Sequence, residues 1–514
     1  MNNIKLLYID LFCGAGGTST GVENARLKGR KCAKVVACVN HDVNAIKSHQ
    51  ANHPDTLHFT EDIRTLELSP LLKHLNKVKD KYPNAYVVLW ASLECTNFSK
   101  AKGGLPRDAD SRTLAEHLFR YIEAIKPHFI QIENVEEFMC WGDLDKHGKP
   151  ISKDKGRCYL KWVNNVKDYG YDYDYRILNA ANFGAYTSRK RFFGQFAKYG
   201  LPIVFPEQTY AKNGDNGDMF HQYKKWKPVR DVLDLDDEGT SIFAKKKPLC
   251  EKTLERIYAG LIKFVAGGKK QYEEWTQKCN SMNGDVIPLP TGNPSLMSDK
   301  DKRGYVKLNF LSKQFSGDPM SKNQGIEQPA GTVTCVDHHA FVTAYFGNGY
   351  NTSIEEPNPT VTTKERHALV SVDLNEPMPD VPLDKVTIQS RQFLANPYSF
   401  KSNGGTLEKP CCTLIAHMDK APLWLVTVDY KDLAIAIFET DSPMTRKIKE
   451  FMAMYGIIDI KMRMLNIREL KRIMGFPDNY VLIGSQAQQK KYIGNAVEVN
   501  MSRVLCEALC EKLV

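Results

Sequence analysis

The sequence has no apolar run long enough to cross a bilayer, which excludes a helical membrane protein. It contains no G-x-x-x-x-G-K-[ST] phosphate loop and no G-x-G-x-x-G dinucleotide fingerprint, which argues against P-loop hydrolysis and ordinary nicotinamide chemistry. Its first residues lack the plan of a secretory leader and enter an apolar strand almost at once, so a cytoplasmic protein is expected. Zinc-finger spacing is missing too: Cys411 and Cys412 are adjacent, and Cys506 and Cys510 lie one helical turn apart without matching partners. The thirteen cysteines are therefore expected to be reduced and mostly buried, with no metal bound. Charge is only mildly one-sided, +10 from 70 basic and 60 acidic residues, which suits a polyanion partner without requiring one.

What is present begins with length. At 514 residues, two domains are the default. Ile4 to Ile9 reads as a first strand, followed by Asp10-Leu11-Phe12-Cys13-Gly14-Ala15-Gly16-Gly17, a glycine-rich turn that opens a helix. Val35 to Val39 reads as a second strand ending at Asn40-His41-Asp42, where polar groups suit a ribose. A third unit ends at Glu61-Asp62-Ile63, a carboxylate beside an apolar residue that suits an adenine. Ala85 to Trp90 is a buried strand that delivers Cys95 in a small, polar loop, Glu94-Cys95-Thr96-Asn97-Phe98-Ser99, which places a candidate nucleophile at the ligand-binding edge of an open sheet. A helix is expected from Thr113 to Ile125. The strand Phe129 to Ile132 then delivers Glu133-Asn134-Val135, and Arg189 and Arg191 alternate on a later strand, pointing to one face.

Taken in order, these residues resemble the DNA (cytosine-5)-methyltransferase family over most of the chain. Phe12, Gly14, Gly16 and Gly17 match its cofactor loop, Asp62 its adenine-contacting carboxylate, Cys95 its catalytic cysteine and Glu133-Asn134-Val135 its Glu-Asn-Val. Arg189 and Arg191 match its Arg-x-Arg, Arg468-Glu469-Leu470 with Gly475-Phe476-Pro477 its ninth motif, and Gly494-Asn495-Ala496-Val497 its tenth. The resemblance implies an α/β, Rossmann-like adenosylmethionine-dependent methyltransferase domain with a smaller β-rich target-recognition domain. The expected boundaries are a catalytic and cofactor-binding domain over 1–205, completed by 485–514, a recognition domain over 206–460, and a hinge and return segment over 461–484.

It also implies an activity: transfer of a methyl group from S-adenosyl-L-methionine to carbon 5 of a flipped-out cytosine through a covalent Cys95 adduct. Catalysis would fall to Cys95, Glu133, Arg189 and Arg191. The cofactor would meet Phe12, Gly14, Gly16, Gly17, Asn40, Asp42, Asp62, Ile63 and Asn495, with no metal. The implied partners are double-stranded DNA and a separately encoded cognate restriction endonuclease, the implied setting a monomeric, nucleoid-associated bacterial protein of a restriction–modification or phage/host protection system. A tRNA cytosine methyltransferase and a catalytically silent DNA-binding homologue are the alternatives.

Five positions depart from the family pattern. Glu94 stands where proline precedes the cysteine, Asn40 at the ribose-binding acidic position with Asp42 as its substitute, Tyr186-Thr187 where Pro-Gln precedes Arg-x-Arg, and Glu498 where proline is common. In the middle segment, Gln328-Pro329-Ala330-Gly331-Thr332-Val333-Thr334, Glu356 to Thr362 and a copy from Pro410 form an internal repeat, read as turn, strand, polar loop and strand. The loops at Asp337-His338-His339, Lys364 to His367 and Met418 to Lys420 are candidates for DNA contact, with the basic runs at Lys224-Lys225, Lys245 to Lys247 and Lys269-Lys270 available to phosphates.

Overall fold

The computed structural model describes residues 4–93, 114–142, 156–214, 222–281, 299–300, 306–314, 318–333, 335, 339–346, 391–395, 405–406, 424–428, 437–438, 440–455 and 457–513. They form two compact units, one of Met1–Leu235, Ile326–His339 and Leu465–Val514, the other of Asp236–Gly325 and Ala340–Met464.

The first unit is a seven-stranded sheet between helices. Its strands are β1 (Leu6–Leu11), β2 (Ala33–Val39), β3 (Leu57–Phe59), β4 (Tyr86–Ser92), β5 (Phe129–Asn134), β6 (Tyr171–Asn179) and β7 (Lys190–Lys198), in the spatial order β3-β2-β1-β4-β5-β7-β6. The first five run parallel, and β7 pairs antiparallel with both β5 and β6. Alternation along the central strands loads both faces. Leu7, Ile9, Leu11, Leu89 and Ile132 join α3 (Ser69–Lys81), α4 (Leu118–Ile125) and α5 (Arg157–Lys167) in one core, while Leu6, Tyr8, Val88 and Trp90 face α1 (Gly17–Asn24). A further helix, α2 (Val43–Asn52), connects β2 to β3.

β1 lies between β2 and β4, so the direction in which successive strands are added reverses there. Such a switch point opens a crevice beyond the carboxyl ends of the strands. The loops after β1, β2, β3 and β5 all leave at that edge. Because β7 is antiparallel, its first residues arrive there as well.

The helix expected over 113–125 is shorter: α4 begins at Leu118 and residues 114–117 form turns. Trp162 Nε1 donates to the Ala115 carbonyl at 2.9 Å, and His117, Leu118 and Phe119 reach back three residues rather than four, so the α-helical ladder starts late.

The second unit holds a six-stranded sheet in which Thr240–Ser241, Ile457–Met464, His339–Phe346, Val306–Lys313 and Asp299–Lys300 are successive neighbours and Asn323–Gly325 pairs with Val306–Lys313. A three-stranded sheet of Arg391–Ala395, Gly405–Thr406 and Trp424–Val428 also belongs to it, as do α6 (Glu251–Phe264), α7 (Lys269–Ser281) and α8 (Pro443–Tyr455). Leu254, Ile257 and Leu261 of α6 pack with Ile448 and Phe451 of α8 and with Phe310, Val342 and Ile460.

The chain then re-enters the first unit through α9 (Ile467–Ile473), α10 (Gln486–Asn495) and α11 (Val499–Lys512). Capping boxes at Asn466/Glu469 and Ser485/Gln488 start the first two. Leu505, Cys506, Leu509 and Cys510 of α11 complete the core over β1 and β4. Compared with the sequence reading's divisions at 205, 460 and 485, the compact units divide at 235 and 465, and residues 326–339 return to the first. The backbone explains that return: Val229 N donates to Gln328 O and Arg230 N to Ile326 O, both at 2.9 Å. Among the described residues of the first repeat copy, 331–333 accordingly form no strand. Ala330 bridges Thr187 instead, and the second copy and the 364–367 and 418–420 loops lie outside the described residues.

Candidate active site

At the end of β1 the chain turns through Phe12, whose φ of 60° is left-handed, a conformation a bulky side chain adopts only when its surroundings hold it there. Gly14 and Gly16 are left-handed as well, and Gly16 stands as the N-cap of α1 without a side-chain cap, leaving the helix's first amide groups free of a side-chain acceptor. Gly17 opens the helix against the tenth-motif segment, and a Cβ there would sit 2.5 Å from Val497 O and 2.9 Å from Ala496 Cβ. Tyr480 OH donates to Ala15 O at 2.5 Å, tying the loop to the returning chain.

The next two strand ends are occupied by local bonds. Asn40 Oδ1 accepts the Asp42 amide at 2.8 Å. Asp42 caps α2, accepting from Asn44 N and Ala45 N at 3.0 and 3.1 Å, and also from Tyr492 OH at 2.9 Å. Asp42, expected as a substitute ribose ligand, is thus also the N-cap of α2. Asp62 is gripped by Arg64, whose Nη2 lies 2.6 Å from Oδ2, and the arginine's hydrogen bonds hold that carboxyl below its usual range. Ile63 is buried, and its carbonyl accepts from Arg120 Nη1 and Tyr121 OH at 3.1 and 2.8 Å. Asn495 ends α10 at the surface, where its Oδ1 accepts from the Cys335 thiol.

The other side of the edge is a knot of buried charge. Glu133, in β5, is 5% exposed, and Arg189, just before β7, is equally buried. The antiparallel register sets Glu133 opposite Phe193, which brings the start of β7 alongside. Arg191 Nε lies 3.3 Å from Glu133 Oε1. Burial raises the Glu133 carboxyl above its usual range, and the Arg191 and Arg189 charges pull it part of the way back. Arg189 Nη1 donates to Val333 O at 3.1 Å, so the returning 326–333 segment fixes its direction. Ser188 N and Ala330 N exchange bonds across the same seam, to Ala330 O and Tyr186 O at 2.9 and 2.7 Å. Thr187, where the family carries glutamine, donates from its hydroxyl to Gly331 O at 3.1 Å.

A small cavity is lined by Glu133, Arg189, Arg191, Phe193, Val497 and Glu498. Glu498 is a charged lining residue whose role the sequence did not show. It is 2% exposed, caps α11 by accepting from Met501 N at 2.8 Å, and has its carboxyl pushed up to about 7 by burial. Its position directly before α11 is an N-cap signal, legible once the helix start is known.

Cys95, Glu94 and the rest of the loop lie outside the described residues. The approach to them does not. Ser92, the last residue of β4, stands opposite Glu133, and Asn134 Nδ2 donates to Leu93 O at 3.4 Å. In the sequence, Cys95 follows Ser92, the register partner of Glu133, by three residues.

Residues 6–304 and 348–511 match the model of the C-5 cytosine-specific DNA methylase family. Among individual relatives, the Type II methyltransferase M1.HphI of Haemophilus parahaemolyticus is 27% identical over 238 residues, 46% of this chain and 58% of that protein. M.AgeI of Thalassovita gelatinovora is 27% identical over 253 residues, 47% of this chain and 53% of the relative, and M.AquIA of Picosynechococcus is 26% identical over 252 residues, 48% of this chain and 96% of the relative. The chain spans a little over half the length of the first two. With the match covering most of its length and a seven-stranded, Rossmann-like methyltransferase sheet beneath it, the chain belongs to the C-5 cytosine-specific DNA methylase family.

Proposed function

We propose that the chain transfers a methyl group from S-adenosyl-L-methionine to carbon 5 of a cytosine flipped out of double-stranded DNA, acting as a monomer in a restriction–modification or phage/host protection system whose endonuclease is encoded separately. The first compact unit would hold cofactor and base, and the second would read the target. The observation that carries this reading is the buried Glu133 between Arg189 and Arg191, beside the strand end from which the Cys95 loop departs.

The chemistry needs that arrangement. Carbon 5 of cytosine is a weak nucleophile until a thiolate adds at carbon 6, and Cys95 is the group to add. As the sulfur–carbon bond forms, electron density moves toward ring nitrogen 3. A carboxyl whose proton affinity burial raises suits a hydrogen bond to that nitrogen, which is the part assigned to Glu133. Arg191 holds Glu133 in place and faces the ring carbonyl, and Arg189, anchored on Val333, keeps the cavity electropositive. The duplex must release the base for any of this to occur.

The cofactor suits the other half of the edge. A left-handed Phe12, a glycine-walled turn and the open amides of α1 make a cradle for a polar, carboxylate-bearing ligand at the switch point. Bound there, S-adenosyl-L-methionine supplies the electrophilic methyl group. Phe12, Gly14, Gly16, Gly17, Asn40 and Ile63 would line its site with Asn495. Asp42 and Asp62 would act from their cap and their arginine clamp, the first by setting the angle of α2 and the second by presenting a fixed charge.

Incubation with methyl-labelled S-adenosyl-L-methionine and either duplex DNA or tRNA tests the reading. Label at carbon 5 of cytosine in duplex DNA is the expected result. Transfer to tRNA alone would replace DNA as substrate, and DNA binding without transfer would leave a silent binding protein. Bisulfite sequencing of DNA from expressing cells then gives the target sequence.

A further inference from the structure

Sequence spacing gives no reason to expect a metal, yet folding gathers donors that are far apart in the chain. Cys13 in the turn after β1, Cys38 in β2 and His49 in α2 are all buried, and their donor atoms lie within 4.8 Å of one another. His58 of β3 adds a fourth: its Nε2 is 2.9 Å from His49 Nδ1, and Cys38 Sγ is 3.6 Å from that same nitrogen. In a tetrahedral zinc site, bonds of about 2.05 Å to nitrogen and 2.3 Å to sulfur separate neighbouring ligand atoms by about 3.3 to 3.8 Å, a spacing to which the Cys13, Cys38 and His49 donors would draw in and toward which His58, placed beside His49, would turn.

Two further observations point the same way. His49 Nε2 lies 2.9 Å from Ser19 Oγ, and Ser19 in turn donates to Asp10 Oδ2 at 2.7 Å. With the Ser19 proton directed at the carboxylate, its oxygen accepts from His49 Nε2–H, which leaves the Nδ1 lone pair facing the thiols. Metal-ligating histidines are oriented in this way by an outer carboxylate. Asp10 itself is fully buried and its Oδ1 has no hydrogen-bond partner.

We propose that Cys13, Cys38, His49 and His58 form a Cys2His2 site for Zn2+ beneath the turn that follows β1. Binding would release both thiol protons and leave two thiolates and two neutral imidazoles on the ion, a set with no net charge. Two sulfurs and two nitrogens in a closed, buried shell suit a structural zinc ion rather than a hard cation. The ion would staple the turn carrying Phe12 to β2, α2 and β3, so its loss should loosen that turn. A second thiol group, Cys32 with Cys506 and Cys510, sits elsewhere in the core and offers no nitrogen, which makes it the internal control.

The test is the metal content of the full-length protein purified without chelators, followed by exchange of the metal for Co2+. The expected result is about one zinc per chain, with thiolate-to-cobalt charge-transfer and tetrahedral ligand-field bands after exchange. Cys38→Ser and the half-buried His58→Ala should lose both signals while keeping the circular dichroism of the parent, and Cys506→Ser should keep them. Metal-free protein from zinc-supplemented cells that takes up no Co2+ would overturn the proposal. So would loss of the metal in Cys506→Ser but not in Cys38→Ser. X-ray absorption of the zinc-loaded parent protein should show two sulfur and two nitrogen neighbours, and a sulfur-only shell would also refute it.

Discussion

The two halves of the sheet edge are built by opposite means. On the side of β1 the work is done by backbone: a left-handed Phe12, a Gly17 whose Cβ would strike Val497 or Ala496, and carboxylates already spent on a helix cap and an arginine. On the side of β5 and β7 it is done by charge withdrawn from water, with Glu133, Arg189, Arg191 and Glu498 around one small cavity. The backbone-built half should respond to added bulk and be indifferent to pH. The charge-built half should respond to pH and to removal of a single partner.

The largest effect is expected at Arg191. Arg191→Ala leaves Glu133 buried without its ion-pair partner, so the carboxyl pKa should rise further, and the loss of methyl transfer should be about 10²–10³-fold, as for removal of one preorganised donor at a charged transition state. Steady-state rates across pH would show it. A rate unchanged by this substitution would deny the charge-built half its role.

Glu498 gives the next effect, with a defined sign. Its carboxyl is raised from 4.5 to about 7 in the folded protein, so its contribution to stability is complete below about pH 4.5 and is lost as pH rises through 7. The difference amounts to about 3 kcal/mol. Glu498→Gln keeps an acceptor for the Met501 amide and removes the titration. Thermal unfolding should therefore find the variant more stable than the parent at about pH 8 and similar at about pH 5. Parallel curves at the two pH values would mean that Glu498 is not held in its neutral form.

Gly17→Ala tests the backbone-built half. Its Cβ would meet Val497 O at 2.5 Å, and overpacking of that kind costs about 1–3 kcal/mol. The loss should appear equally at both pH values, together with weaker binding of S-adenosyl-L-methionine by calorimetry. At the small end, Asp478→Asn breaks exposed contacts with Arg468 and Arg472 and should leave the unfolding midpoint almost unchanged.

The same division explains what the sequence could tell. Strands β1, β2, β4 and β5 were visible as apolar runs, and the residues that follow a buried strand of an open sheet are fixed by topology, so Glu133 and the glycine turn fall where their order in the chain predicts. Arg189 and Arg191, expected to alternate on one strand, straddle the start of β7: Arg189 lies just before it and Arg191 within it, at the edge where the parallel strands end. Competition between local and distant partners was not legible. Asp42 has a helix to cap, and Trp162 claims the Ala115 carbonyl and delays α4. Residues 329–333 carry a hairpin-like repeat, yet they satisfy their backbone on Tyr186 to Arg189. The Cys13, Cys38, His49 and His58 group comes from four different elements and has no spacing by which to recognise it.

Covalent attack by Cys95 is tested most directly by trapping on duplex DNA that carries 5-fluorocytosine, in the presence of S-adenosyl-L-methionine. Fluorine at carbon 5 cannot leave as a proton does, so the attacking sulfur should stay bound to carbon 6, and the wild-type chain should form a denaturant-stable complex with the DNA that Cys95→Ala does not form. A complex that persists in Cys95→Ala, or none in a wild-type protein that methylates unmodified DNA, would contradict the assignment.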